Sequence, residues 1–290
     1  MLLNCHTYYS FGYGTYGIKE LLTAVYNNGF RTFALTDINN TSAVLETLRL
    51  TQNKPLKAVV GIDFRNGVQQ QYVGLAKNNA GFKELNEHLS KHLHTQQDFE
   101  NIAPKFNHAF VIYPFVNYKG WPLSEHEFIG VSLADLKQLV LSPYQKMHNK
   151  LVTLHQVTFA NKIQFNTHRL LRAMHTNNLL SKLPVTQQAK GNEMIISYDD
   201  LVAAYANYPH IIQNTENILQ QCTVQFDYGK LKSKNKQFYT QTTAGDMALL
   251  RAECEKGLTY RFCDVTDLSV VRKRMQMELE VIEKMNFASY

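Results

Sequence analysis

His6, Asp37 and Asp63 are the side chains in this sequence best suited to chemistry. Each follows a short apolar run, at residues 2–5, 30–35 and 58–62. In parallel α/β architectures functional groups collect at the carboxyl ends of strands, because the loops there converge on one face. An imidazole and two carboxylates gathered in that way could hold a hard or borderline divalent metal. Their spacing is loose, and a second reading stands beside the first. In it Asp37 caps the following helix, Asp63 starts a turn, and His6 sits satisfied in a polar pocket.

The elements that would position these residues alternate between strand and helix. After the first strand, Ile18, Leu21, Leu22 and Val25 recur at helical spacing, and Asn27-Asn28-Gly29 supplies a stop. Residues 30–35 form the second strand, ending in Thr36-Asp37. Ser42 is expected to cap a helix through Leu45 and Leu48, with Glu46 in its first turn. Residues 58–62 and 71–76 read as further strands, and Phe82, Leu85 and Leu89 mark the next helix. Such alternation predicts βαβ units and a largely parallel sheet, closed as a barrel or covered by helices.

The middle of the chain is less regular, with strands expected at 108–113 and 151–159 and helices at 133–141 and 167–183. Beyond residue 197 helices are expected at 200–208, 211–222, 246–261 and 268–285. In the last, Met275, Leu279, Ile282 and Met285 form an apolar stripe. Lys230, Lys232, Lys234 and Lys236 punctuate a polar connector. The division expected is a barrel-like domain over 1–195 and a helical extension over 196–290. The chain stops at Phe287-Ala288-Ser289-Tyr290 without a polar tail, as though cut from a longer one.

Composition narrows the function classes. No run approaches the roughly 18 apolar residues of a membrane span, and no signal-peptide pattern opens the chain. Cys5, Cys222, Cys254 and Cys263 make no C-x-x-C pair, which argues for free thiols in a reducing cytoplasm and against a zinc ribbon. The formal charge of +6 is unevenly spread: residues 136–192 hold no Asp or Glu but carry Lys137, Lys146, Lys150, Lys162, Arg169, Arg172, Lys182 and Lys190. That basic field suits a phosphate backbone or an acidic part of the same larger protein.

Leu3-Asn4-Cys5-His6-Thr7-Tyr8-Tyr9-Ser10 resembles the L-H-x-H-[ST]-x-[YF]-S opening of the PHP (polymerase and histidinol phosphatase) domain. Ala34-Leu35-Thr36-Asp37-Ile38 resembles its A-L-T-D-H motif, and Val60-Gly61-Ile62-Asp63-Phe64 its I-G-[VI]-E-[FL] motif. Order and spacing are similar to the version that opens the bacterial DNA polymerase III alpha subunit. The run Leu75-Ala76-Lys77-Asn78-Asn79-Ala80-Gly81-Phe82-Lys83-Glu84-Leu85 looks like that subunit's L-A-K-N-x-x-G-[YF]-x-x-L. Residues 168–174, 214–218 and 278–290 resemble its H-x-x-L-x-A-I, N-T-x-x-I and E-L-x-V-I-x-x-M-G-F-x-x-Y segments, so the resemblance spans the chain.

This resemblance implies an α/β fold, a distorted (βα)7 PHP-type barrel followed by a helical extension leading towards a polymerase core. It also implies a metal site at the barrel mouth, but the ligand pattern is broken. Asn4 and Ile38 stand where histidines are usual, and Asp63 stands for a Glu. The segment Thr158-Phe159-Ala160-Asn161-Lys162 stands where T-N-D-x-H is usual. Isoleucine donates no lone pair and an amide is a poor transition-metal ligand.

The expectation is a vestigial site at His6, Asp37 and Asp63 with no catalytic residue and no cofactor needed. It leaves room for one weakly held zinc or manganese, magnesium belonging to the polymerase proper. Partners implied are the rest of the alpha subunit, DNA, and replisome subunits such as the clamp and proofreading exonuclease. Lys162, Arg169, Arg172 and Lys182 are the expected contacts to DNA or polymerase core. The competing expectation is a metal-dependent 3′-5′ exonuclease or phosphoesterase using other histidines, His92, His94, His108 or His168.

Overall fold

A computed structural model describes residues 2–229 and 238–290. The connector lysines Lys230, Lys232, Lys234 and Lys236 lie outside the described residues. The described chain packs as two compact units, residues 1–226 and 227–290.

In the first unit one curled sheet contains β1 (Leu2–Cys5), β2 (Thr32–Leu35), β3 (Lys57–Asn66), β4 (Gln69–Ala76), β5 (Ala109–Pro114), β6 (Glu127–Val131), β7 (Leu151–Thr153) and β8 (Gln156–Val157). Their order is β7-β6-β5-β4-β3-β2-β1-β8. All neighbours pair in parallel except β4, which runs antiparallel to both β3 and β5. A tight turn causes that reversal: Gly67, at φ 60°, joins β3 to β4 directly, where a parallel connection would need a crossover helix.

The strand expected over 151–159 is broken at Leu154 and His155 into β7 and β8, which are the two opposite edges of the sheet. Two intervening residues span at most about 10 Å between flanking strand ends. The sheet must therefore curl until its edges approach, giving a half-barrel. β6, which the sequence patterns did not suggest, fills the order between β5 and β7.

Alternation along the strands separates two apolar layers. Val59, Val73, Leu75, Phe110, Ile112 and Val152 form an inner cluster, joined by Ile218, Leu219 and Cys222. Val60, Ile62, Phe64, Tyr72, Val111 and Tyr113 face the helices. Gly61 leaves no room for a side chain, since a Cβ there would collide with Gly74 O on β4.

α1 (Ile18–Asn27), α2 (Val44–Thr51), α3 (Asn79–Thr95) and α4 (Leu136–Leu141) follow the expected pattern, whereas α5 (Lys162–His175) starts five residues earlier than expected and stops at His175, leaving 176–183 outside it. α1 buries the face made by Ile18, Leu21, Leu22 and Val25. α2 departs in its start: Ala43 occupies the cap without a side-chain bond, and Ser42 instead offers its backbone N–H to Asn40 Oδ1. α6 (Tyr198–Ala204) and α7 (Pro209–Gln221), placed by sequence in the extension from residue 196, pack with the sheet. Leu201, Tyr205 and Ile211 join the outer layer, while Ile218 and Leu219 join the inner one.

The second unit contains α8 (Thr243–Arg261) and α9 (Ser269–Met285). Arg251 pairs with Glu283 at 3.1 Å and Arg272 with Glu255 at 3.0 Å. Of the apolar stripe on α9, Leu279 is buried, Met275 and Ile282 are half-buried, and Met285 is exposed.

Candidate functional site at the mouth of the half-barrel

β1, β2 and β8 end at the same rim, and the reversed β4 begins there. His6 follows β1 and extends its ladder through a backbone bond to Val157 O at 2.8 Å. Asp37 follows β2 by two residues. Asp63 was expected at a strand end but lies within β3, on the strand's inner face with Val59 and Gly61. The structure thus brings His6, Asp37, Asp63 and Asn4 to one buried place, each at most 2% exposed.

Asp63 is the hub. Its Oδ2 accepts from Asn4 Nδ2 at 3.2 Å, from Arg65 Nε at 2.9 Å and from Arg65 Nη2 at 2.7 Å. His6 Nε2 lies 3.0 Å from the same oxygen, and Gln70 Nε2 donates to Oδ1 at 2.9 Å. Burial pushes the Asp63 carboxyl upward. The Arg65 guanidinium and His6 more than reverse this and leave it lowered to about 2. Arg65 is itself buried, yet the Asp63 carboxylate raises its affinity for the proton beyond the loss from desolvation. The guanidinium also stacks over Tyr13, 4.9 Å from the ring centre, while Asn39 brackets the Arg65 backbone with bonds of 2.8 and 3.0 Å.

Asp37 neither caps α2 nor touches a cation. Its carboxylate accepts from Thr7 N at 2.6 Å, Thr7 Oγ1 at 2.8 Å and Ser10 Oγ at 2.7 Å. Burial raises its pKa, against those three bonds. The loop from Thr7 turns back tightly enough that a Cβ on Gly14 would meet Thr7 O at 1.9 Å, so glycine is required there. Ile38, where the resemblance called for a histidine, donates its backbone N–H to Ser10 Oγ at 2.9 Å, and its half-buried side chain packs near Tyr13 and Phe159.

A second arm leads away from His6, whose Nδ1 lies 3.0 Å from Thr158 Oγ1. Thr158 Oγ1 donates to Glu193 Oε2 at 2.7 Å, and Lys190 N donates to Glu193 Oε1 at 2.9 Å. Beside this arm is a cavity of about 120 Å³ lined by Gln70, Pro114, His155, Gln156, Lys190 and Glu193 among others. Sequence reasoning missed Arg65, Gln70, Thr158 as a His6 partner, and Glu193. The one local signal was the Asp63-x-Arg65 spacing, which puts both side chains on the same face of a strand.

The expected basic contacts divide. Lys162 and Lys182 are exposed and Arg169 is half-buried, its Nε donating to Gln188 Oε1 at 2.9 Å. Arg172 is 5% exposed, donates to Gln187 O at 2.9 Å and lies over Tyr13, so its guanidinium faces inward. Asn161, one residue before Lys162, caps α5 through Ile163 N and Gln164 N.

Of the alternative histidines, His94 and His108 are exposed. His168 is buried with both ring nitrogens engaged, Nδ1 2.7 Å from Tyr13 O and Nε2 accepting from Ala189 N at 2.8 Å. His92 lies in α3, against the outer layer. Among the described residues no helix is long and apolar enough to cross a membrane. The four cysteines are free.

Comparison with known proteins places this geometry in context. The pattern of the PHP domain matches residues 3–181. The chain is similar to the DNA polymerase III subunit alpha of Haemophilus influenzae, 23% identical across 99% of the chain and 29% of that protein. For the subunit alpha of Mycoplasma genitalium the identity is 22%, across 100% of the chain and 33% of that protein. For that of Vibrio cholerae it is 22%, across 99% and 29%. The chain thus spans about a third of the length of these curated relatives.

Proposed function

This chain belongs to the PHP domain family, and from that premise we propose that it is the PHP region of a replicative DNA polymerase alpha subunit whose mouth works as architecture rather than as a phosphoesterase. The observation that carries the proposal is the Arg65 guanidinium, held at 2.7 and 2.9 Å from Asp63 inside the half-barrel.

The donors at the mouth do not suit a cluster of divalent ions. A carboxylate has about four lone-pair sites, and five donors already converge on Asp63. Arg65 supplies the positive charge that a metal would bring, fixed covalently to β3 and protonated at any ordinary pH. An incoming ion would have to expel a buried guanidinium and leave it unpaired, which costs several kcal/mol. Asp37 already accepts three bonds from Thr7 and Ser10, while Asn4 and Ile38 offer an amide and a hydrocarbon. A mouth that cannot hold adjacent metals would lack the ions that activate water and stabilise a leaving oxygen in a metal-dependent phosphoesterase.

What the network can do is lock. It ties β1, β2, β3, β4 and β8 together at one rim, and the loops beyond that rim become a rigid face. In this reading the partners are the rest of the alpha subunit and, through it, DNA and the replisome subunits. The exposed Lys162 and Lys182 and the half-buried Arg169 belong to the contact surface, without Arg172. Nuclease assay of the purified chain on single-stranded and primed DNA with manganese tests the proposal. No turnover above the Asp63→Asn variant is expected; turnover that disappears in that variant would overturn it.

A further inference from the structure

Among the described residues, one set of three His, Cys, Asp or Glu side chains has ligand atoms within 4.8 Å of one another. It is His88, His92 and Glu100, and it lies away from the mouth. Phe64, the residue after Asp63, points to the opposite face of β3, and its ring is 5.3 Å from that of His88. The sheet therefore separates this cluster from the network around Asp63.

The cluster has the form of a divalent-metal site. His88 and His92 stand four residues apart on α3 and so project from one face of it. Their rings meet edge to face at 4.6 Å. Each already has an outer partner on one nitrogen: Tyr72 Oη is 2.7 Å from His88 Nε2, and Gln97 O is 3.1 Å from His92 Nδ1. A backbone carbonyl accepts only, so in the neutral ring a metal would require, His92 Nδ1 carries the proton and Nε2 presents the lone pair. Such outer bonds fix the tautomer and ring orientation of ligating histidines.

His92 Nε2 faces Glu100 Oε2 at 3.5 Å. That is long for a hydrogen bond. It is close to the roughly 3.3 Å that separates two ligands around a tetrahedral ion with bonds of about 2.0 Å. Phe99 packs against both rings, at 5.7 and 4.6 Å, and is pinned to Asn66 by backbone bonds of 2.8 and 2.9 Å. His92 is buried and His88 half-buried, both rings packed against Phe99, while the Glu100 side chain is exposed and has room to move closer.

We propose that His88, His92 and Glu100 bind one zinc ion, which clips the segment after α3 back onto that helix. Two imidazoles and a carboxylate suit zinc over magnesium or calcium, which prefer all-oxygen sets. Water completes the fourth position. No turnover is assigned to this ion; it holds residues 96–100 against the outer layer.

Calorimetric titration of the EDTA-stripped chain with Zn²⁺, followed by Co²⁺ absorption to report ligand type, tests this. One equivalent should bind, and the cobalt form should show the intense visible bands of a tetrahedral site. Glu100→Gln, a change at an exposed position that leaves folding intact, should weaken binding by at least about 10-fold, as should His92→Asn. Asp63→Asn, across the sheet, should leave it unchanged. Absence of binding by the folded chain would overturn the site, as would undiminished affinity in Glu100→Gln. Binding lost in Asp63→Asn but kept in Glu100→Gln would place the ion at the mouth instead, refuting both this site and the locked-mouth reading.

Discussion

Replacing Arg65 by methionine keeps the volume of its stem and removes only the guanidinium, leaving Asp63 buried with Asn4, Gln70 and His6. Both partners of the lost pair are at most 2% exposed, so solvent cannot compensate. An unpartnered buried charge of this kind costs about 3–5 kcal/mol. The pKa gives a consistent scale: a drop from about 3.9 in an unfolded chain to about 2 is nearly two units, worth roughly 2–3 kcal/mol for the network as a whole.

The sign of the pH dependence separates this account from simple loss of packing. In the wild type the folded pKa of Asp63 is depressed. Its contribution is present above the unfolded pKa of about 4 and is lost as pH falls towards about 2. Without Arg65, burial dominates and the folded pKa rises above the unfolded one. The contribution then fades as pH increases through that raised value. The stability gap between the two proteins should therefore widen as pH rises from about 4 to about 7. Asp37, raised by burial, acts in the opposite direction but equally in both, and cancels in the difference.

Urea unfolding followed by Trp121 fluorescence reads this directly, since the single tryptophan packs edge-on to Tyr113 and Tyr118 in the same unit. Arg65→Met combined with Asp63→Asn should recover most of the loss, because neither charge is then buried alone. Equal midpoints at neutral pH for wild type and Arg65→Met, or a gap that does not change with pH, would refute the reasoning.

Restoring the usual ligand types with Asn4→His, Ile38→His and Asp63→Glu should recruit no manganese to the mouth while Arg65 remains, as read by elemental analysis of protein carrying Glu100→Gln. Metal bound at the mouth in that variant would show that Arg65 does not exclude it. Thr158→Val deletes the hydroxyl between His6 and Glu193 and should lower stability by about 1–3 kcal/mol, measured by the shift in urea midpoint. An unchanged midpoint would remove this arm from the lock. Lys162→Glu with Lys182→Glu should flatten the salt dependence of binding to primed DNA by about 2 in the log–log slope. Arg172→Ala should leave that slope alone and destabilise the fold, its guanidinium being bonded to Gln187; a flattened slope in Arg172→Ala would mean that its charge faces DNA after all.

Much of the fold was legible because its signals are local. Apolar spacing at Ile18, Leu21, Leu22 and Val25 is set by the helical period, and it marks α1 within a residue. The ordered motifs around His6, Asp37 and Asp63 marked the family, and they did bring those residues together. Local signals failed where long-range geometry chose the outcome. The single apolar run at 151–159 became two edges of one sheet because the sheet curls, and curl is a property of all eight strands.

The mouth shows the same division. The resemblance to the PHP motifs marked Asn4 and Ile38 as positions where that family usually carries histidines. Only the tertiary structure revealed what meets Asp63 there, a guanidinium two residues further on and a glutamine from across the hairpin. Glu193, 35 positions from Thr158, completes the set. The charge of Arg172 was visible in the sequence but its direction was not, since Tyr13 and Gln187 meet it only after folding. Composition and periodicity report which groups a chain owns and how they repeat along it. Which carboxylate meets which cation depends on distances closed by packing, and those are set by the whole sheet rather than by any neighbour in sequence.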